Sequence, residues 1–227
     1  MIVELRNICK HYEISDSGHK HEVLDQISLT IGDGDTLAIT GPSGSGKSTL
    51  LNIIGTLDTP SSGFVLFKGI EVNALNERKL AEIRNQEIGF VFQKHYLLPQ
   101  LTLFENVLLP VIPLKNKVPK KETISRVMEL LKIVGLSDKT SRLPGQLSVG
   151  ECQRAAVVRA LVNKPTIILA DEPTGSLDHD SAEQLGDLLL SIKRDLSVAI
   201  VVITHSPDLA NKMAVSYKLF NGKLIPL

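Results

Sequence analysis

The chain has only two cysteines among its 227 residues, Cys9 and Cys152, and they lack metal-ligand spacing. That excludes a disulfide framework and leaves two reduced thiols. An excess of one charge is also missing: 25 Lys and Arg face 25 Asp and Glu, for a net charge of zero. A nucleic-acid binder would show a basic excess or stripe, and the longest basic cluster is the modest stretch from Lys115 to Lys121, so no nucleic-acid partner is expected. Nor is there a long unbroken apolar run. The most apolar stretch, Tyr96 to Leu114, is interrupted by Pro99, Glu105, Asn106, Pro110 and Pro113, which excludes a regular membrane-spanning helix. The start, Met1-Ile2-Val3-Glu4-Leu5-Arg6, alternates like a strand and has no apolar core of a signal peptide. Repeats and low-complexity segments are absent. What remains is a chain with 43% hydrophobic residues, enough for one large core or two small lobes.

Against these absences stands a complete phosphate-binding loop, Gly41-Pro42-Ser43-Gly44-Ser45-Gly46-Lys47-Ser48, followed by Thr49. Its glycines let successive backbone N–H groups point at phosphate oxygens, and the following helix adds its positive end. Lys47 reaches the β and γ phosphates, and the Ser48 hydroxyl is offered to Mg²⁺. A flexible Gly/Ser loop is the bland alternative, and the flanks decide against it. Upstream, Thr36 to Thr40 is a short apolar strand behind the turn signals of Gly32 to Asp35; downstream, Leu50, Leu51, Ile53, Ile54 and Leu57 recur at helical spacing.

Residues 1 to about 40 read mostly as β, with Ile27, Leu29 and Ile31 alternating. Further strands are expected at Phe64 to Phe67 and Ile88 to Phe92. From 94 to about 162 the pattern is helical, and Val127, Met128, Leu131 and Val134 form a stripe that Gly135 ends. Ile167 to Ala170 and Val198 to Ile203 are near-continuous apolar runs of buried parallel strands. The helix between them carries Ala182, Leu185, Leu188, Leu189, Ile192 and Leu196, with Ser181 and Gln184 spaced as a capping box.

In a parallel sheet, ligands sit at the carboxyl ends of the strands. Gln93, Asp171, Glu172 and His205 each leave a strand there, so they are expected on one rim. Asp171 is placed to hold Mg²⁺ through a water, Gln93 to offer its amide oxygen to that ion, and Glu172 to polarise the water that attacks the γ-phosphate. His205 would bond the γ-phosphate and that water. A pair of acids capping a helix explains Asp171 and Glu172 less well, given the phosphate loop. The other histidines, at 11, 19, 21, 95 and 179, read as structural or solvated.

These motifs, in this order, resemble the ATP-binding cassette family over nearly the whole chain. Tyr12 is similar to the aromatic residue that stacks on adenine, Gly41 to Thr49 to the phosphate loop, and Gln93 to the glutamine loop. Leu147-Ser148-Val149-Gly150-Glu151 resembles the signature, Ile167 to Glu172 the Walker B strand, Ser176-Leu177-Asp178 the loop that crosses the dimer interface, and His205 the switch histidine. The resemblance implies an α/β fold, a P-loop NTPase (RecA-like) core at about 1–93 and 163–227 with an antiparallel β lobe, and an inserted helical lobe at about 94–162. It implies ATP and Mg²⁺, and a head-to-tail homodimer in which Ser148, Gly150 and Glu151 complete the opposite subunit's site. It also implies separate transmembrane permease subunits that hold the chain on the cytoplasmic side of the inner membrane.

Two positions depart from the family. Val149 stands where Gly is usual, which requires either negative φ or strain there, while Gly150 is kept for close phosphate approach. Cys152 stands where Gln is common and reads as helix packing. The stretches Gly89 to Gln93, Phe104 to Val107 and Asp171 to Asp178 are closest to the branch serving lipoprotein release and macrolide export. Open beside this are another export substrate, a regulatory cassette that controls cell-wall hydrolases at division, and a soluble cassette acting on DNA or ribosomes. Neutral charge and the lack of a long coiled-coil insertion disfavour the last.

Overall fold

The computed structural model describes residues 1–13, 20–114 and 120–227. His19 and most of the cluster from Lys115 to Lys121 therefore lie outside the described residues.

Alternating apolar residues build the first layer. Strands β1 (Val3–Glu13) and β2 (Lys20–Ile31) pair antiparallel with Val3 opposite Ile31 and Leu5 opposite Leu29. Ile27, Leu29 and Ile31 are buried while Ser28 and Thr30 between them face solvent, the expected period of two. Strands β4 (Ser62–Phe67) and β5 (Ile70–Glu71) continue this antiparallel sheet in the order β2-β1-β4-β5.

The second sheet has the order β10-β9-β3-β8-β7-β6, with β3 (Thr36–Thr40), β6 (Ile88–Phe92), β7 (Ile167–Asp171) and β8 (Ala199–Ile203) mutually parallel along it. β9 (Val215–Phe220) runs parallel to β3, and β10 (Lys223–Pro226) turns back on it as a hairpin. Every residue of β8 is buried because both faces are covered. Side-chain alternation sends Ile39, Leu169 and Val201 into a core shared with the antiparallel sheet and helix α1 (Lys47–Ile54). It sends Ala38, Ala170 and Val202 into a second core under the remaining helices.

Helix α2 (Glu77–Glu87), not anticipated from the sequence, buries no residue fully; it lies against β6 and packs Leu80 and Ile83 on the first core. Helices α3 (Leu103–Leu108) and α4 (Lys120–Ile133) belong to the second core. Val127, Leu131 and Val134 are buried as expected, but Met128 is 37% exposed and Leu130 takes its place in the stripe. Gly135, at φ +69°, ends this helix in the left-handed conformation that glycine favours. Leu57 is likewise off its expected stripe: α1 stops at Ile54, the chain turns through Thr56, and Leu57 is 49% exposed.

Helix α5 (Val149–Leu161) packs on β6 as well as on α3 and α4. Gly89 makes this possible, because a Cβ there would come within 2.6 Å of the Ala160 carbonyl oxygen. Helix α6 (His179–Leu196) buries Leu185, Leu189 and Ile192, and the short α7 (Pro207–Asn211) follows β8. The capping box expected at Ser181 and Gln184 is not formed. The helix begins earlier, and the Asp178 carboxylate caps it by accepting from Ser181 N at 2.9 Å and Ser181 Oγ at 2.8 Å. Among the described residues, no helix is long and apolar enough to cross a membrane.

Candidate active site

The loop between β3 and α1 is shaped by three glycines with positive φ: Gly41 at 148°, Gly44 at 76° and Gly46 at 97°. At two of them space is limiting too. A Cβ on Gly41 would lie 2.3 Å from the Leu219 carbonyl oxygen, and one on Gly46 would lie 2.7 Å from Val23 Cγ1. Gly44 has open space around it, so its requirement is conformational alone. Lys47 is buried, and its ammonium donates to the Gly41 and Pro42 carbonyls at 3.0 and 2.9 Å, closing the loop around itself.

This loop forms one wall of a cleft of about 780 Å³, bordered by Ser43, Gly44, Gly46, Lys47, Ser48 and Thr49 on one side. The opposite side brings together Gln93, Asp171, Glu172 and His205, the rim expected from the sequence. Register explains the convergence. Phe92 is level with Asp171, and Asp171 with Ile203, so the residues that leave β6, β7 and β8 emerge side by side. The Ser48 hydroxyl, the Gln93 amide and the Asp171 carboxylate form a hard oxygen set that fits Mg²⁺.

Glu172 is the most constrained member of the rim. Its φ of 49° is unusual for a non-glycine residue and costs about 1–3 kcal/mol. Three hydrogen bonds hold it there: Glu172 N donates to Ile203 O at 2.9 Å, Glu172 O accepts from Gly175 N at 3.0 Å, and Glu172 Oε2 accepts from His205 N at 3.1 Å. The other carboxylate oxygen, Oε1, is buried without a hydrogen bond, 3.3 Å from His205 Nε2 but outside bonding geometry. The site thus contains a carboxylate fixed in the cleft wall, one oxygen held by the His205 amide and the other beside the His205 ring.

Gly175 leaves room for the Gln93 side chain, since a Cβ there would lie 2.9 Å from Gln93 Nε2. Tyr96 also borders the cleft, edge-on to Phe92 with ring centroids 5.6 Å apart. It carries no motif signal and was not anticipated, nor was Val23, which borders the cleft from β2. His95 has a structural part, as expected: its Nδ1 accepts from Leu97 N at 3.1 Å, and burial followed by the Arg159 charge lowers its pKa.

Several expected residues lie elsewhere. Tyr12 does not border the cleft; its hydroxyl donates to Asp58 Oδ2 at 3.0 Å, and the Lys10 ammonium sits 5.0 Å from its ring centroid. Asp178 is the cap of α6. Ser148 and Glu151 form a reciprocal capping box at the start of α5, with Glu151 N donating to Ser148 Oγ at 3.2 Å and Ser148 N to Glu151 Oε2 at 2.9 Å. Glu151 also pairs with Lys139, and the Lys139 hydrogen bond, then that of the Ser148 backbone, lowers its pKa. Val149 is the first residue of α5, has no positive φ and is 53% exposed, so its side chain brings no strain. Gly150 has a packing reason of its own: a Cβ there would meet Ser181 Oγ at 3.2 Å. Cys152 is buried in helix packing, as expected.

The ABC transporter family model matches residues 24–175. The lipoprotein-releasing system ATP-binding protein LolD of Syntrophus aciditrophicus is 45% identical over 224 residues, covering 99% of both chains. YvrO of Bacillus subtilis, an uncharacterised ABC transporter ATP-binding protein, is 49% identical and covers 99% of this chain and 96% of its own. Among solved structures, a dimeric post-hydrolysis state of the ATP-binding cassette MJ0796 bound to ADP and Pi is similar with a TM-score of 0.88. It is 40% identical, over 98% of this chain and 96% of that one. Motif order, sheet topology and full-length likeness all agree, and the chain belongs to the ABC transporter family as one of its ATPases.

Proposed function

We propose that this chain drives lipoprotein release from the inner membrane, as the ATP-hydrolysing subunit of a complex with separate permease chains. The observation that carries this reading is the end-to-end likeness to LolD, joined to a cleft in which the phosphate loop faces Gln93, Asp171, Glu172 and His205. In this reading Lys47 and the loop amides would hold the phosphates, and Ser48, Gln93 and, through a water, Asp171 would hold Mg²⁺, whose charge would offset the negative charge of phosphoryl transfer. Glu172 accepts the proton of the attacking water, and His205 orients the γ-phosphate side of the cleft.

Two copies act head to tail. Ser148, Gly150 and Glu151, which lie off the chain's own cleft, meet the nucleotide of the other copy, and Asp178 lies in the loop between the two sites. Tyr12, exposed on β1 outside the cleft, supplies the adenine contact where the base reaches beyond the phosphate end.

The test is recovery of tagged Glu172→Gln protein from detergent-solubilised native membranes with ATP and Mg²⁺, followed by mass spectrometry. A permease with a large extracytoplasmic domain, with bound lipoprotein, is the expected catch. Division proteins or soluble partners alone would overturn the lipoprotein assignment and leave the ATPase intact.

A further inference from the structure

The segment that carries Gln93 is held on both sides by side chains of a single helix. Before it, the Phe92 carbonyl accepts from Gln153 Nε2 at 2.7 Å. After it, the His95 and Tyr96 carbonyls accept from the two terminal nitrogens of Arg159, at 2.6 and 2.7 Å. Both donors belong to α5, whose first turn is the capped Ser148 to Glu151 loop. Gln153 is 1% exposed, deep for an amide, and the Phe92 carbonyl is the partner that satisfies it. Arg159 is half-buried, and among the described residues it has no carboxylate partner, so its guanidinium spends its donors on the backbone. Taking that charge out of water is unfavourable, and an apolar side chain would fill the space without the penalty. What the charge does at this place is fix two carbonyls beside the cleft, one of them on Tyr96, whose φ is 46°.

We propose that Gln153 and Arg159 are positioning residues for Gln93, tying its approach to the nucleotide to the placement of α5 and of the signature at its start. This rests on the role given to Gln93 above. It makes α5 a rigid bar from the Gln93 segment of one site to the surface offered to the other, so that both respond to a single displacement. Misplacing a catalytic group by about 1 Å can cost ~10²-fold in rate, which sets the scale of the effect.

The test compares Arg159→Met, Arg159→Lys, Gln93→Ala and the double variant Gln93→Ala/Arg159→Met, as the full chain. Turnover per ATP-binding site and the Mg²⁺ concentration for half-maximal activity are measured. Arg159→Met is expected to lower kcat about tenfold or more and to raise the Mg²⁺ requirement, with metal-free ATP affinity unchanged; Arg159→Lys, which can still serve one carbonyl, falls between. In the Gln93→Ala background, Arg159→Met is expected to add almost nothing. An equal further loss there, or a loss of thermal stability with the parental Mg²⁺ dependence, would overturn the positioning role while leaving Gln93 its own. If Gln93→Ala itself behaves as the parent, the role of Gln93 fails and the proposal fails with it.

Discussion

Two glycine-bearing turns of this chain, Gly41 to Gly46 and Ser148 to Gly150, each lead into a helix, yet they use glycine for different reasons. In the first, all three glycines have positive φ, and two of them also sit against neighbouring backbone or side chain. In the second, no residue has positive φ; a serine and a glutamate cap the helix, and Gly150 answers to side chains alone, chiefly Ser181, whose hydroxyl is 3.2 Å from where its Cβ would be. The first turn is therefore a backbone device and the second a surface device. That is why Val149 is accommodated without strain, and why nothing comparable is tolerable at Gly41.

The largest effect that sharpens this contrast is expected at Gly41. Gly41→Ala places a methyl 2.3 Å from the Leu219 carbonyl oxygen at a φ that L-residues avoid. ATP affinity should fall at least ~100-fold in a fluorescent-nucleotide titration, with a stability loss above ~2 kcal/mol in urea melts. Gly150→Ala should separate the two devices. ATP binding to a single chain stays at the parental level, while steady-state ATPase activity drops about fivefold and stability by ~1 kcal/mol, because only the Ser181 contact and the presented surface change.

A smaller effect concerns the cap. The pKa of Glu151 is lowered by Lys139 and the Ser148 backbone, so the folded state binds this proton less readily than the unfolded chain. Its contribution is present above the ordinary glutamate pKa and is lost as the pH falls through the lower folded value. Glu151→Gln should cost about 1 kcal/mol at neutral pH and flatten the acid limb of the stability profile below pH ~4.5. The smallest effect is expected for Val149→Gly, at an exposed first helical position: under ~1 kcal/mol in stability and less than threefold in ATPase rate. A tenfold rise in rate would instead make valine a damper of the turn and undo the contrast.

The same contrast marks what the sequence can disclose. Strands such as Thr36 to Thr40 and Ile88 to Phe92 match their expected limits because burial of most of their residues leaves a short, largely apolar run. The rim of Gln93, Asp171, Glu172 and His205 was legible because parallel register carries strand ends to one level. Features set by distant contacts were not. Gln153 and Arg159 look like ordinary polar positions on a helix, and their partners lie more than sixty residues away in sequence. The left-handed conformation of Glu172 depends on Ile203 and His205, which no local pattern of β7 contains. The cap of α6 was misplaced because Ser-x-x-Gln occurs within the helix, one turn after the aspartate that does the capping.

The central claim is that the two turns act on the same nucleotide from different copies of the chain, with Glu172 as the base. It is tested most directly by light scattering of Glu172→Gln protein with ATP and Mg²⁺, alongside phosphate release. The account predicts an ATP-dependent dimer that retains uncleaved ATP, with hydrolysis down by ~10² to 10⁴-fold, and no such dimer when Lys47→Ala is added. A Glu172→Gln protein that stays monomeric with ATP bound and releases phosphate at the parental rate would contradict it.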